Sequence, residues 1–227
     1  MTYNGTQSRT RTDTYPSQEF ASCVGWCYTF TNIFRKDSLM TWITFIPFAE
    51  ATGRLKVSYE KFKRPNNTIA NILSVHSLRP HTLDGHLALY RSVIGHSANK
   101  LPLWYLESVG VHVSAINQCN YCITHHTHFG GLAYNGDKSE WATIAGAMVN
   151  DTAADVFEGK MLALMGYAKK LTQNPSALTE QDMDTLHKAG ADDGEILEVN
   201  QVAAYFAYAN RTVLGLGVSL DGEVFAT

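Results

Sequence analysis

The sequence predicts an all-α protein, and three observations support this prediction. After residue 40 the apolar residues recur at helical spacing in most segments, and strand-like alternation is confined to residues 42–48. Proline or glycine stands near the expected start or end of several of these segments. The 227 residues are 45% hydrophobic and 17% charged, which is enough apolar material for a core. We therefore predict a multi-helix bundle.

The predicted helices before the central cysteine pair begin at residue 53. Segment 53–62 has helical spacing of its apolar residues and is followed by a Pro-Asn-Asn break. A short helix over 68–75 comes next, and Pro80 opens a longer one whose apolar residues form one stripe. Pro102 marks the first turn of the helix that leads towards the cysteines.

The helices after the cysteine pair are marked by glycines and a capping motif. Gly130-Gly131 predicts that the cysteine helix ends or is relaxed there, and two more helices follow over 139–149 and 155–171. A capping-box spacing at Thr179 predicts the start of another. The last helix is predicted to follow residues 191–194. Its large residues are expected in the core or at a subunit interface: Tyr205, Phe206, Tyr208 and Leu214.

Four histidines lie before residue 100: His76, His81, His86 and His96. Their spacings do not place them on one helical face, and no other pattern supports a metal site among them. We therefore predict that they lie at the surface or cap helices.

Residues 1–39 differ in composition from the rest of the chain. They begin polar and rich in Thr and Ser, without helical periodicity, which predicts a mobile or poorly packed extension. We interpret Cys23 and Cys27 as incidental thiols, although such a pair can also bind a metal or form a disulfide. Residues 40–227 are predicted to form the helical domain, with the cysteine pair in a core of about residues 80–150.

Charge and composition exclude several classes of function. The formal net charge of −3 gives no basic face for nucleic acid, and neither a polybasic stretch nor an apolar run of membrane-spanning length occurs. The N-terminus lacks a charged stub followed by an apolar core, so secretion is not expected. Four cysteines are too few for a disulfide scaffold and suit a reducing compartment. We therefore expect a cytoplasmic protein whose partners are small molecules or proteins.

Two cysteines and one histidine share a face of a predicted helix. If the helix begins at Cys119, then Cys119, Cys122 and His126 lie at about 0°, 300° and 340° around its axis. His125 and His128 fall outside this face by the same spacing. The first turn of a helix stabilises a thiolate through its free N–H groups and its dipole. A pair so close in sequence can also form a disulfide after one sulfur is oxidised.

Glu107 lies among apolar residues of the preceding helix, and we interpret it as the proton acceptor of the pair. The full spacing, Glu107-x11-Cys119-x2-Cys122-x3-His126, resembles the signature of the alkyl hydroperoxidase D and carboxymuconolactone decarboxylase-like family, in particular its peroxidase-related branch. The resemblance runs from about residue 40 to about residue 221. Its other segments are 86–95, 113–131, 169–190 and 202–218.

The resemblance implies an all-α fold and a thiol-dependent peroxidase with a redox-active Cys119–Cys122 disulfide and no other cofactor or metal. Cys122 would attack the peroxide, Cys119 would resolve the product, and Glu107 and His126 would relay protons. A hydroperoxide substrate, a thiol or dithiol reductant protein and a homotrimer or homohexamer are also implied. One position departs from the pattern. Alkyl hydroperoxidase D itself has a histidine immediately before the second cysteine, and this chain has Tyr121.

Other hypotheses remain open at this stage. The same fold can host a carboxymuconolactone decarboxylase-type lyase or a disulfide oxidoreductase that does not act on peroxide. A structural zinc site is a third hypothesis, with Cys119, Cys122 and His126 as three ligands and Cys23 or Cys27 as the fourth. The zinc hypothesis requires a distant ligand and gives Glu107 no role.

Overall fold

The computed structural model describes residues 40–64 and 66–225, which form α-helices and short 3₁₀ turns without a strand. The predicted all-α class is confirmed. The predictions for residues 1–39, including Cys23 and Cys27, lie outside the described residues. Within the described part, no helix is long and apolar enough to cross a membrane. The helices are α1 Gly53–Glu60, α2 Asn71–Ser74, α3 Pro80–Val93, α4 Leu103–Ile116, α5 Asn120–Ala133, α6 Lys138–Val149, α7 Gly159–Gln173, α8 Glu180–Lys188 and α9 Asp193–Leu216.

Helix α4 is the centre of the bundle. Ten consecutive residues, 105–114, are buried, because α4 contacts α5, α6, α7 and α9. Such a helix must be apolar on all sides, and most of α4 is. The exception that matters is Glu107, whose carboxylate is carried into the core by this arrangement. At Gly110 a Cβ would lie 2.2 Å from the Phe206 ring, so the glycine permits the close approach of α4 and α9.

The bounds of two helices differ from those predicted, and packing or backbone conformation explains the differences. Helix α5 continues through Gly130, which is needed for contact and not for termination, because a Cβ there would lie 2.2 Å from the Trp141 ring. The helix predicted over 155–171 begins only at Gly159, whose φ of 50° interrupts the helical path. Residues 42–47 form no strand, in agreement with the predicted all-α class, and a 3₁₀ turn begins at Phe48.

The start of α8 follows local sequence signals. The predicted capping box is present, since the Thr179 N–H donates to the Asp182 carboxylate over 2.7 Å. Helix α9 begins with a second capping box, formed by Asp192 and Glu195, and therefore starts at residue 193, earlier than predicted. It ends at Gly217 in the left-handed conformation, with a φ of 62°. The chain then turns back over the bundle as residues 218–225, which we call the C-terminal strap.

Candidate active site

Cys119 and Cys122 stand at the start of α5. Cys119 is the N-cap residue, and Cys122 is the third residue of the helix. Their sulfurs are 2.9 Å apart, which is a hydrogen bond between thiols, whereas a disulfide bond measures about 2.05 Å. Both residues are buried, with exposed fractions of 0% and 2%. The bundle therefore holds a reduced dithiol in its interior.

The two thiols are electrostatically unequal. The hydrogen bond with Cys122 is the main reason why the pKa of the Cys119 thiol is lowered, although burial opposes this effect. The same hydrogen bond, burial and the negative charge on Cys119 together raise the pKa of the Cys122 thiol. The first negative charge of the pair therefore forms preferentially on Cys119, with the remaining proton between the two sulfurs.

Asn210 on α9 is a third polar group at the dithiol. The spacing of Glu107, Cys119, Cys122 and His126 in the sequence does not include it. A hydrogen bond from its amide contributes to lowering the pKa of both Cys119 and Cys122. Its orientation is fixed, because its Oδ1 accepts from Asn117 over 2.9 Å and its Nδ2 donates to Ser114 over 3.0 Å. In the sequence, a polar residue on the mainly apolar stripe of α9 is the pattern that could have indicated this contact.

Glu107 and His126 form a buried carboxylate–imidazole pair between α4 and α5. The His126 Nδ1 lies 2.6 Å from the Glu107 Oε2, and both residues are buried. Among the described residues, His126 is the only hydrogen-bond partner of this carboxylate. An Nδ1–H donated to Glu107 fixes the tautomer and leaves Nε2 as a base. His126 is one helical turn after Cys122, on the same face.

A cavity of about 330 Å³ borders the dithiol. Cys122 and His126 are on its wall, whereas Cys119, Glu107 and Asn210 are not. The rest of the wall is mainly apolar and aromatic, and it includes Phe62, Ile72, Leu73, Leu87, Tyr90, Phe129, Leu132, Tyr205 and Phe225. A ligand in this cavity would meet the sulfur of Cys122 in surroundings that exclude water.

No protein-family model and no curated protein matches the chain. Solved structures do match. A Ralstonia eutropha protein described as an alkylhydroperoxidase AhpD core and an uncharacterized peroxidase-related protein superposes with a TM-score of 0.69 at 17% identity, covering 79% of this chain and 92% of that one. The chain has the alkyl hydroperoxidase D-like fold. This confirms, at the level of the fold, the resemblance that the sequence indicates.

Two further structures have the same alkyl hydroperoxidase D-like fold. An uncharacterized peroxidase-related protein from Silicibacter sp. has a TM-score of 0.65 at 20% identity, covering 81% of this chain and 93% of that one. A debrominase, in complex with 2,3,4-tribromopyrrole, has a TM-score of 0.62 at 14% identity, covering 82% of this chain and 94% of that one. These relationships concern the fold alone, because the identities are low.

The histidines near the cavity correct two predictions. His76 and His86 are buried and not at the surface, because their rings lie against each other and His86 packs against Tyr205 of α9. His86 borders the cavity, its Nε2 lies 3.2 Å from the Tyr205 hydroxyl, and burial lowers its pKa to about 4. His81 and His96 are exposed, as predicted, and the His96 Nδ1 accepts the Ala98 N–H over 3.2 Å.

The described residues contain no group of three or more His, Cys, Asp or Glu side chains arranged to hold a metal ion. The fourth zinc ligand proposed from the sequence, Cys23 or Cys27, lies outside them.

A second buried carboxylate, Glu223, belongs to the C-terminal strap. Burial alone would raise its pKa, but its contacts with His125, Tyr121, the Asn71 N–H and Arg64 together lower the pKa to about 2. The Tyr121 hydroxyl donates to Glu223 over 2.6 Å, and the Asn71 N–H donates over 2.6 Å. Glu223 is therefore a fixed anion at neutral pH.

Proposed function

We propose that this protein is a thiol-dependent peroxidase that reduces a hydroperoxide with the Cys119–Cys122 dithiol. The observation that carries the proposal is the placement of one sulfur of a hydrogen-bonded dithiol on the wall of an apolar cavity, one helical turn from a histidine paired with a buried carboxylate. These are the nucleophile, the base and the group that orients the base, in the arrangement that activates a thiol.

The first step starts from the protonated dithiol and uses the base beside it. His126, held by Glu107, accepts the proton of the Cys122 thiol at Nε2. The Cys122 sulfur attacks the terminal oxygen of the hydroperoxide, so that an S–O bond forms as the O–O bond breaks. The departing alkoxide takes the proton from His126 and leaves as an alcohol. Cys122 is then a sulfenic acid. Only this sulfur of the pair borders the cavity, which supports Cys122 as the attacking residue.

The second step closes the disulfide. The Cys119 sulfur attacks the sulfur of the Cys122 sulfenic acid, the S–S bond forms and the S–O bond breaks. The departing hydroxide combines with the Cys119 proton and leaves as water. The lowered pKa of Cys119 favours its role as the second nucleophile. A dithiol reductant protein then returns two electrons and two protons, and its own thiols become a disulfide.

The test is peroxide consumption by the full chain with dithiothreitol as reductant. Free thiols are counted before and after one equivalent of hydrogen peroxide, and peptides are mapped by mass spectrometry. We expect catalytic consumption and a Cys119–Cys122 disulfide. If both sulfurs stay reduced, or if only a Cys23–Cys27 bond forms, the proposal is wrong.

The roles of the two sulfurs are separated by serine variants. Cys122→Ser is expected to abolish sulfenic acid formation. Cys119→Ser is expected to leave a sulfenic acid on Cys122 that can be trapped with dimedone but cannot close to a disulfide. The reverse pattern would assign the attack to Cys119, the sulfur that more readily carries the charge.

A second candidate is reductive dehalogenation of a small aromatic compound. It is favoured by the aromatic wall of the cavity together with the shared fold of a debrominase seen with 2,3,4-tribromopyrrole. In this reaction the dithiol supplies two electrons and two protons, one proton replaces bromine in a new C–H bond, and the other is released together with bromide as the disulfide forms. Bromide release from tribromopyrrole, in the absence of peroxide consumption, would favour this candidate over the peroxidase.

A further inference from the structure

We propose that the C-terminal strap is the specificity-determining wall of the cavity. In this proposal Phe225 sets the size and shape of the organic group that is accepted, and Glu223 holds Phe225 in place. The reaction at the dithiol rests on the proposed function, whereas the binding of an apolar ligand against Phe225 does not.

The path of the strap brings its end to the cavity. Helix α9 ends at Gly217, where a Cβ would lie 2.2 Å from the Trp42 ring, so the left-handed turn and the close contact both require glycine. The Ser219 N–H then donates to the Met40 carbonyl over 2.9 Å. After this turn Val224 and Phe225 reach the wall of the cavity.

Glu223 fastens the strap to three separate parts of the bundle. Its carboxylate pairs with Arg64 after α1, accepts the Asn71 N–H at the start of α2, and accepts the Tyr121 hydroxyl of α5. The side chain is only 1% exposed. Removing one partner of a buried and fully paired charge leaves the others unpaired, which is costly, so the strap is held closed.

A second fastening acts on the strap backbone. The Asn71 Nδ2 donates to the carbonyl of Ser219 over 2.9 Å and to the carbonyl of Asp221 over 3.0 Å. Asn71 is buried, so these carbonyls find partners in the protein. The side chain of Asn71 and its backbone N–H thus bind the strap on both sides of the turn before Glu223.

Tyr121 gains a structural role from this arrangement. It occupies the position at which the chain departs from the alkyl hydroperoxidase D pattern. Its hydroxyl accepts the Ile72 N–H over 3.1 Å while it donates to Glu223, and its ring stacks on His125 at 4.4 Å between centroids. The residue beside the second cysteine therefore anchors the strap.

Phe225 is the part of the strap that a ligand would contact. Its ring lies 4.7 Å from the His125 ring and 5.2 Å from the His128 ring, measured between centroids. The cavity that it borders measures about 330 Å³, near the lower end of the range for small-molecule sites. A phenyl-sized organic group would pack against the Phe225 ring, whereas hydrogen peroxide is too small to need it.

The experiment compares two peroxides of different size on the full chain. With dithiothreitol as reductant, kcat/KM is measured for hydrogen peroxide and for cumene hydroperoxide. In Phe225→Ala the ratio of cumene hydroperoxide to hydrogen peroxide is expected to fall about tenfold, because the larger substrate alone loses contact area. The matched control is Phe48→Ala, a half-buried phenylalanine that contacts Tyr59 and does not border the cavity. An unchanged ratio in Phe225→Ala would overturn the proposal.

A second pair of variants tests the fastening. Glu223→Gln is expected to lower the same ratio, because Phe225 is no longer held against the ligand. Asp221→Asn changes an exposed carboxylate of the same strap, whose side chain contacts the Ser219 hydroxyl, and is expected to keep the wild-type ratio. Equal ratios in the two variants would show that Glu223 does not hold the wall.

A binding measurement separates this proposal from the peroxidase proposal. Cumyl alcohol, which carries the same organic group and no peroxide bond, is titrated by calorimetry. Its Kd is expected to rise about tenfold in Phe225→Ala and to stay unchanged in Phe48→Ala. If the wild-type chain reduces neither peroxide but the Kd changes in this way, the peroxidase proposal fails and the strap proposal holds. An unchanged Kd in Phe225→Ala overturns the strap proposal.

Discussion

Two neighbouring histidines of α5 face two buried carboxylates, and the two pairs are built differently. His126 and Glu107 share a direct hydrogen bond of 2.6 Å, and the described residues offer Glu107 no other partner. His125 is 3.6 Å from Glu223, which is already bonded to Arg64, Tyr121 and the backbone. Both carboxylates are removed from water, but only one has its hydrogen-bonding capacity largely unused.

This difference indicates that the hydrogen-bond donors around a buried carboxylate determine whether it can accept a proton. Glu223 is surrounded by donors that lower its pKa to about 2, so it stays an anion and serves as an anchor. Glu107 has a single donor, His126, which can change its own protonation state during a reaction. We therefore propose different roles for these two similarly buried carboxylates: a proton relay for Glu107 and an anchor for Glu223.

The largest effect is expected from Glu107→Gln. This change keeps the shape of the side chain and removes the carboxylate charge that orients His126. We expect the rate of sulfenic acid formation to fall about 10²–10⁴-fold, the usual range for the loss of general base catalysis. The measurement is single-turnover trapping with dimedone across a pH series.

The matched control for Glu107→Gln is Glu195→Gln. Glu195 is also buried, but it pairs with Lys160 and caps α9, and it does not border the cavity. We expect its trapping rate to equal that of the wild type. Equal rates in wild type and Glu107→Gln would instead show that Glu107 is a structural carboxylate and has no part in a proton relay.

Glu223→Gln is expected to have the next largest effect, on stability. The shift of its pKa from 4.5 to about 2 corresponds to about 3 kcal/mol of folding free energy at neutral pH. Such a loss lowers Tm by roughly 6–12 °C for a chain of this length. Calorimetric melts of the variant, beside Asp221→Asn as the control, measure it. A Tm within 1 °C of the wild type would mean that the anchor contributes little.

The folding free energy lost in Glu223→Gln is expected to depend on pH. Because the pKa of Glu223 is depressed in the folded state, its contribution is present above the unfolded pKa and disappears as the pH falls towards about 2. The stability gap between wild type and Glu223→Gln is therefore expected to shrink from about 3 kcal/mol at pH 7 to about 1 kcal/mol at pH 3. Urea unfolding at both pH values measures the gap, and a constant gap would contradict the assignment.

The smallest effect is expected from Asn210→Ala at the dithiol. The hydrogen bond from Asn210 lowers the pKa of the Cys119 thiol, so its loss is expected to raise that pKa. The pH profile of alkylation by iodoacetamide measures this shift. Asn200→Ala is the control, since Asn200 lies on the same helix but donates to Tyr167. Identical profiles for the two variants would show that Asn210 does not stabilise the thiolate.

Structural features that depend on short spacings between residues can be predicted from the sequence alone. The all-α class, the capping box at Thr179, and the common face of Cys119, Cys122 and His126 all follow from contacts between residues three or four positions apart. Helical geometry is regular enough that such relations are known before the fold is. The roles of the four site residues nevertheless stay predictions, because spacing gives proximity and not reactivity.

Which residues from distant parts of the chain contact the dithiol and α5 depends on the tertiary structure. Asn210 reaches it from α9, and Glu223 reaches α5 from beyond the last helix. The burial of His86 and the continuation of α5 through Gly130 likewise depend on which helices pack together. The physical reason is that burial and pairing in a bundle are properties of interhelical contacts, which no local periodicity specifies.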